Sequence, residues 1–217
     1  MKRIFEVNPW HVVSHELVPT DKRLQESMTS IGNGYMGMRG MFEEHYSNDT
    51  LKGIYIGGVW YPDKTRVGWW KNGYPEYFGK VVNAVNFIKV NLTIDGDQVD
   101  LAKDQVSDFT VDLDMHTGVL RRSFIVTKDD KRVQFMIDRF VSADQKELFD
   151  VHYSVHNLSD EPVQLGFISQ IDADVFNEDA NYDEQFWQVL DKSHAITGGS
   201  MVAETKPNDF GTPRFTL

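Results

Sequence analysis

The side chains best equipped for chemistry lie in two stretches. One is Asp172-x-Asp174-x-x-x-Glu178-Asp179, whose clustered hard oxygens resemble a calcium loop. The resemblance fails at the fifth and sixth positions, where Phe176 and Asn177 replace an oxygen ligand and the turn-forming glycine. Paired carboxylates also do acid/base work on glycosidic bonds when they face each other across roughly 5 to 9 Å, but spacing along the chain does not set that distance. No residue is therefore assigned a catalytic role.

The other stretch runs from Trp60 to Phe78 and holds seven aromatics in nineteen residues, too irregularly spaced for one strand face. Rings in loops stack on the apolar face of a sugar, while their N–H and O–H groups bond hydroxyls. Trp60, Trp69, Trp70 and Tyr74 are the candidate substrate-binding residues on this ground. The other reading is a loop packed by its own side chains or against a neighbouring domain.

Gly32-Asn33-Gly34-Tyr35-Met36-Gly37 satisfies the G-x-G-x-x-G string of dinucleotide sites, which needs a strand before it and a helix after it. The flanks supply neither, since Gln25 to Ser30 is polar and Gly40 falls where a helix would propagate. An irregular loop with close backbone approach is expected. Arg39 and Glu43-Glu44 beside it are read as pinning that loop, because an Arg fork satisfies several carbonyls or one carboxylate. The seven histidines show no metal-ligand spacing, and the chain has no Cys; no metal and no cofactor are expected.

Residues 86 to 171 must position whatever these side chains do, and they alternate with a period of two. Val90, Leu92 and Ile94 lead into Asp95-Gly96, and Val99 and Leu101 follow it. Similar runs flank His116-Thr117-Gly118, the Lys128 to Lys131 turn and the Asn157 to Pro162 turn. Hairpins are expected at Asp95-Gly96, at Asp129-Asp130 and within 157–162, in packed antiparallel sheets. No helical pattern persists for three turns anywhere, although 145–149 or 183–190 could hold a single turn. The chain is thus expected to be all-β, with residues 1–217 forming a single domain.

Composition narrows the function classes. The 217 residues are 41% hydrophobic and 25% charged, as in a soluble globular chain. The net charge of −11 disfavours a phosphate-backbone partner, so no nucleic acid is expected. Eleven acids and no Lys or Arg lie between Glu147 and Asp191. With these set aside, the 33 acids and 22 bases of the chain come to 22 of each, so the whole net charge sits in that stretch. No apolar run suits a signal peptide or a membrane span. The lack of Cys fits a reducing compartment and a cytoplasmic location. Strand-forming Arg214-Phe215-Thr216-Leu217 gives the expectation of a piece cut from a longer protein.

Four strings carry a family resemblance. Leu24-Gln25-Glu26-Ser27-Met28, with Ile31 to Gly40 and Phe42-Glu43-Glu44, resembles the amino-terminal region of glycoside hydrolase family 65. Gly68-Trp69-Trp70-Lys71-Asn72-Gly73-Tyr74-Pro75, Leu113 to Leu120 and Asn177 to Trp187 are similar to further stretches of the same region, in the same order. The resemblance implies a β-supersandwich of the galactose-mutarotase type, followed by a C-terminal catalytic (α/α)6 barrel that this chain lacks and that holds the general-acid Glu and the phosphate site. It implies an inverting phosphorolysis, with maltose and phosphate giving β-glucose 1-phosphate and glucose without a cofactor. Trehalose, kojibiose or nigerose is the alternative substrate, and the parent enzyme is expected to be a homodimer. A reading from another class is a stand-alone carbohydrate-binding or partner-docking β-sandwich module.

Overall fold

Alternation becomes strand after strand in the computed structural model, which describes residues 3–65, 73, 75–178 and 184–217. In chain order the strands are β1 (His11–Ser14), β2 (Ile31–Gly32), β3 (Met36–Met38), β4 (Ile54–Ile56) and β5 (Trp60–Lys64). Then come β6 (Tyr77–Val81), β7 (Asn86–Ile94), β8 (Asp97–Gln98), β9 (Gln105–Asp114) and β10 (Val119–Lys128). The last are β11 (Lys131–Val141), β12 (Phe149–Asn157), β13 (Leu165–Asp172), β14 (Trp187–Ala195) and β15 (Gly198–Thr205). Among the described residues one helix, α1 (Lys22–Met28), and a single 3-10 turn at Pro19–Asp21 interrupt them. The fold is all-β and antiparallel, consistent with a β-sandwich. Its packing divides into two compact units, Met1–Gly53 with Ile88–Gln170 and Ile54–Phe87 with Ile171–Leu217.

The first unit is built on the five-stranded sheet β1-β9-β10-β11-β12, beside the three-stranded sheet β13-β7-β8. Register follows burial. In β10 and β11, Phe124 lies opposite Phe135 and Val126 opposite Val133, all four fully buried. The two phenylalanine rings stack with centroids 5.3 Å apart. On β7, Val90, Leu92 and Ile94 are buried, while the residues between them are partly exposed. A slip of one residue in either sheet would turn these sets into water.

Turn chemistry sets two of the hairpins. Asp95 and Gly96 both take positive φ, as do Asp129 and Asp130; this is the pattern of a two-residue turn whose twist matches the strands it joins. The third expected hairpin does not form. β12 pairs with β11, whereas β13 pairs with β7, so the 157–162 turn carries the chain from one sheet to the other. Asn157 holds this turn, accepting from Ser159 N–H at 2.9 Å and donating to Glu161 O at 2.8 Å. Gly166 lets β13 come close to β7, since a Cβ there would lie 2.2 Å from Thr93 Oγ1.

Two other expectations change. The Gly32 to Gly37 string is a tight β2–β3 hairpin with Gly32 opposite Gly37, not an irregular loop. Asn33 Oδ1 accepts from the Tyr35 and Met36 amides, and Gly34 takes a φ of 85° at the tip. The polar stretch before it contains α1, whose buried side chains are Lys22, Gln25 and Glu26.

The second unit contains β4, the β5–β6 hairpin and the β14–β15 hairpin. Ile54, Ile56, Val82, Ala84, Phe186, Trp187 and Ala203 are buried. Asn83 organises its backbone: Asn83 N–H donates to Asn177 Oδ1 at 2.9 Å, its side-chain amide donates to Phe176 O at 2.7 Å, and its carbonyl accepts Trp187 Nε1–H at 2.6 Å. Among the described residues no helix is long and apolar enough to cross a membrane.

Candidate functional site

Two constellations contain residues singled out by sequence, one in each unit. In the first unit, Glu43 and Glu44 follow a short irregular segment and lie buried beneath the five-stranded sheet. Their cations come from inward positions of β10 and β11. Arg122 Nη2 donates to Glu43 Oε2 at 2.5 Å and to Glu44 Oε2 at 2.6 Å, and Arg139 Nη1 donates to Glu43 Oε1 at 2.6 Å. Tyr153 on β12 donates its hydroxyl to Glu44 Oε1 at 2.6 Å.

Burial works against every charge here, and the pairing decides the outcome. Desolvation alone would raise Glu43, but Arg139 and Arg122 outweigh it and hold the carboxyl below its ordinary value. Burial would lower Arg122, and Glu44 with Glu43 lifts it instead. Tyr153 is pushed up by burial and then by Glu44 and Glu43. The cluster thus pairs the guanidiniums of Arg122 and Arg139 with the carboxylates of Glu43 and Glu44, and the Tyr153 hydroxyl closes it. It holds structure, as the sequence reading of Glu43-Glu44 anticipates. Arg39 pins a different place: its Nε donates to Leu51 O at 2.8 Å and its Nη2 to Arg23 O at 3.0 Å.

Beside that cluster Lys22 Nζ sits 2.5 Å from Glu26 Oε1 and 3.6 Å from the centre of the Phe42 ring. Burial pulls Lys22 down to about 8 against the pull of Glu26. Glu26 also accepts from the Thr50 hydroxyl and, at 2.7 Å, from Leu51 N–H.

In the second unit Trp60 opens β5. Its ring lies over Gly79 of the paired β6, where a Cβ would come within 3.2 Å of Trp60 Cε3. Phe215 meets the ring edge-on at 6.2 Å. The indole lines a surface recess of about 520 Å³ with Pro75, Glu76, Tyr77, Phe78 and Gly79. Aromatic faces with one carboxylate and backbone groups nearby can take a sugar ring: the indole stacks, and the polar groups bond hydroxyls. Trp69, Trp70 and Tyr74 lie outside the described residues. Sequence reading passed over Tyr77 and Phe78 as site residues, although they close the same aromatic run.

The acidic stretch does not assemble a chelating set among the described residues, where no group of three or more His, Asp or Glu is placed to hold a metal. Asp172 Oδ1 instead accepts from Asp174 N–H at 3.0 Å, and Asp174 accepts from the Gln185 amide. Asn177, which fails the calcium pattern, is the partner of Asn83 already described.

The family model for the glycosyl hydrolase family 65 N-terminal domain matches residues 12–213. A maltose phosphorylase from Bacillus subtilis (strain 168) is 49% identical over 216 residues, covering 100% of this chain and 28% of that protein. A kojibiose phosphorylase from Thermoanaerobacter brockii is 31% identical over 77% of the chain and 20% of its own length. An α,α-trehalose phosphorylase from the same organism is 26% identical over 96% of the chain. A solved structure from the human microbiome, provisionally named a kojibiose phosphorylase, superposes with a TM-score of 0.83 at 23% identity, over 94% of this chain and 26% of its own. The chain thus spans just over a quarter of the length of the phosphorylases it matches most fully.

Proposed function

We propose, on the premise that this chain belongs to the glycosyl hydrolase family 65 N-terminal domain family, that it is the amino-terminal part of a disaccharide phosphorylase acting on maltose and phosphate. The observation that carries the reading is the 49% identity to a maltose phosphorylase along the whole chain, against 31% and 26% to the kojibiose and trehalose enzymes. In the proposed reaction a phosphate oxygen attacks the anomeric carbon as the C1–O bond breaks. The leaving oxygen takes a proton from an acid, and β-glucose 1-phosphate and glucose result with inversion. The acid and the phosphate site are assigned to a C-terminal catalytic barrel of the same polypeptide. The same reading carries a cofactor-free, cytoplasmic, homodimeric parent enzyme.

This chain's own part is non-catalytic, and residues 1–217 act as one amino-terminal module. The buried Arg122, Arg139, Glu43 and Glu44 cancel one another's charge, which leaves none of them free to hold phosphate or to supply a proton. Trp60 is the residue assigned to sugar contact, through the recess it shares with Tyr77 and Phe78. The test is to supply the full-length protein with phosphate and, separately, maltose, trehalose, kojibiose and nigerose, and to measure sugar 1-phosphate release. Fastest release from maltose supports the reading, and fastest release from another disaccharide refutes the substrate. Trp60→Ala should raise KM for the disaccharide several-fold with little change in kcat; an unchanged KM removes Trp60 from the site.

A further inference from the structure

The glycine string of the β2–β3 hairpin carries a reactive pair that its turn geometry does not exhaust. Asn33 is followed by Gly34. Asparagine is a thermolabile residue, and before glycine its side chain is most open to attack by the next backbone nitrogen, which no Cβ shields. Gly34 is exposed at the hairpin tip, and a Cβ there would meet nothing within 4 Å. Water and base reach the amide from that side.

The fold grips the Asn33 side chain at both ends. Its Oδ1 accepts from Tyr35 N–H at 3.0 Å and from Met36 N–H at 2.9 Å. Its Nδ2 donates to Ser142 O at 2.6 Å and to Lys146 O at 2.9 Å, 109 and 113 residues further along the chain. Both donors and both lone pairs of the carboxamide are thus engaged. The two carbonyls belong to the connection between β11 and β12, which turns on itself through Gln145 N–H to Ser142 Oγ at 3.0 Å and Leu148 N–H to Gln145 O at 2.9 Å.

Deamidation requires that side chain to turn. The Gly34 nitrogen, its proton taken by base, must approach Cγ from above the carboxamide plane. The N–Cγ bond forms, the Cγ–Nδ2 bond breaks, and Nδ2 leaves as ammonia with a proton from water. Water then opens the cyclic imide to aspartate or isoaspartate, so the net change is amide plus water to acid plus ammonia. In the closed hairpin the carboxamide plane is fixed by partners on both edges, and the nitrogen that must depart is bonded to two carbonyls.

We propose that Asn33 is a latent deamidation site, silenced by its latch onto Ser142 and Lys146 and released when the 142–148 connection opens. Residues 143–148 are exposed, and such connections open at lower free energy than the strands they join. The product matters to the fold. An aspartate sets an anion against two carbonyl oxygens that now accept hydrogen bonds, so the opened latch does not re-form. The loss falls on a hairpin that leads through β3 into the buried residues 40–44.

Peptide mapping of the full-length protein, aged in warm and mildly alkaline buffer, tests this. Trypsin releases Leu24–Arg39, in which Asn33 is the sole asparagine, and keeps it apart from the other Asn-Gly pair, Asn72-Gly73. The mass change from amide to acid marks conversion. It should be at least about tenfold slower in the folded protein than in the free peptide Leu24–Arg39, and should reach the peptide's rate in urea. Ser142→Ala, which removes the acceptor of Gln145 N–H, should speed conversion several-fold. Asn33→Asp should lower Tm by several degrees. A folded rate less than tenfold below the peptide's removes the latch as the shield. No acceleration by Ser142→Ala, or an Asn33→Asp Tm equal to the parent's, likewise overturns the proposal.

Discussion

Glu43→Gln should be among the most damaging single substitutions in the chain, although it keeps the volume and one carbonyl acceptor. The Glu43 carboxylate lies between two guanidiniums, 2.5 Å from Arg122 Nη2 and 2.6 Å from Arg139 Nη1. The four ionised groups Arg122, Arg139, Glu43 and Glu44 sum to zero charge, and all four are buried. Neutralising Glu43 leaves one uncompensated cation away from water. Breaking a buried pair in this way costs about 3–5 kcal/mol, which for a chain of this size lowers Tm by roughly 6–20 °C. Urea unfolding at pH 7 should show a lower midpoint with an unchanged slope. Arg139→Met added to Glu43→Gln removes the surplus charge, so the double variant should be more stable than the sum of the singles predicts, by at least about 1.5 kcal/mol. Acid should act through the same group. The folded Glu43 carboxyl lies below its ordinary value, so its contribution is present above the unfolded pKa and lost as pH falls through the folded one. Glu43→Gln should therefore flatten the acid limb of the stability curve. A loss below about 1 kcal/mol, or strict additivity in the double variant, would refute the view that this cluster is coupled and desolvated.

The remaining expectations concern pH, space and metal. Lys22 is held at about 8 in the folded state against 10.5 unfolded, so the unfolded chain binds more protons between these values and stability should rise with pH through that window, by up to about 3 kcal/mol. Tyr153, Tyr46 and Tyr61, all raised, oppose the rise above their ordinary value; a curve that is flat from pH 8 to 10, or a rise that survives Lys22→Met, contradicts the assignment. Gly40→Ala would put a Cβ 1.8 Å from Thr29 Oγ1 and 3.0 Å from Thr29 O and should cost about 1–3 kcal/mol. Gly37→Ala meets only Ile31 O at 3.8 Å and should stay within about 0.5 kcal/mol of the parent by thermal unfolding; equal effects would dispose of the steric argument. Calcium titrated at near-physiological salt should show no binding tighter than roughly millimolar, and a micromolar site abolished by Asp174→Asn would overturn the reading of the acidic stretch.

What could be read from sequence was what is decided locally. Asp95-Gly96 and Asp129-Asp130 announce their turns because two adjacent residues must take positive φ, and Gly and Asp do so at least cost. The 157–162 turn was equally visible, but the partner of β13 is fixed by packing against β7 and not by the turn. α1 escaped because its inward positions, Lys22, Gln25 and Glu26, are polar. Their spacing is helical, but a periodicity search keyed to apolar residues does not register it. Distant partners make that face fit to bury: Thr50 and Leu51 for Glu26, and Ser14 and Glu16 for Gln25. The cations of the Glu43-Glu44 cluster did leave a signal. Arg122 stands in parity with Leu120, Phe124 and Val126, and Arg139 with Val133, Phe135 and Ile137. A charge on the apolar side of an alternating strand must find a buried partner. Of the four aromatic candidates, Trp60 alone lies among the described residues, and its stacking surface was legible from residue type.

Why two arginines occupy core positions that leucine would fill follows from the segment above them. Residues 40–44 are buried yet belong to no strand, so their backbone groups have no ladder and still require partners. Gly40 N–H donates to Glu26 O at 2.8 Å, and Val90 N–H donates to Glu43 O at 2.8 Å. Arg139 serves the carbonyls of Arg39 and Met41, donating from Nη2 and Nη1 at 3.1 Å. A guanidinium is the side chain with enough donors, in a fixed plane, to serve two carbonyls and a carboxylate together. Glu43 then neutralises the cation that the backbone required. Replacing a buried ion pair by apolar residues is often harmless elsewhere. Here it would strand the buried Met41 carbonyl, at about 1–3 kcal/mol, and the partly buried Arg39 carbonyl as well, so the charge of Arg139 is retained for the donors it brings. The glycine hairpin stays in place through the same contacts, because β3 runs directly into the segment that Arg139 holds down.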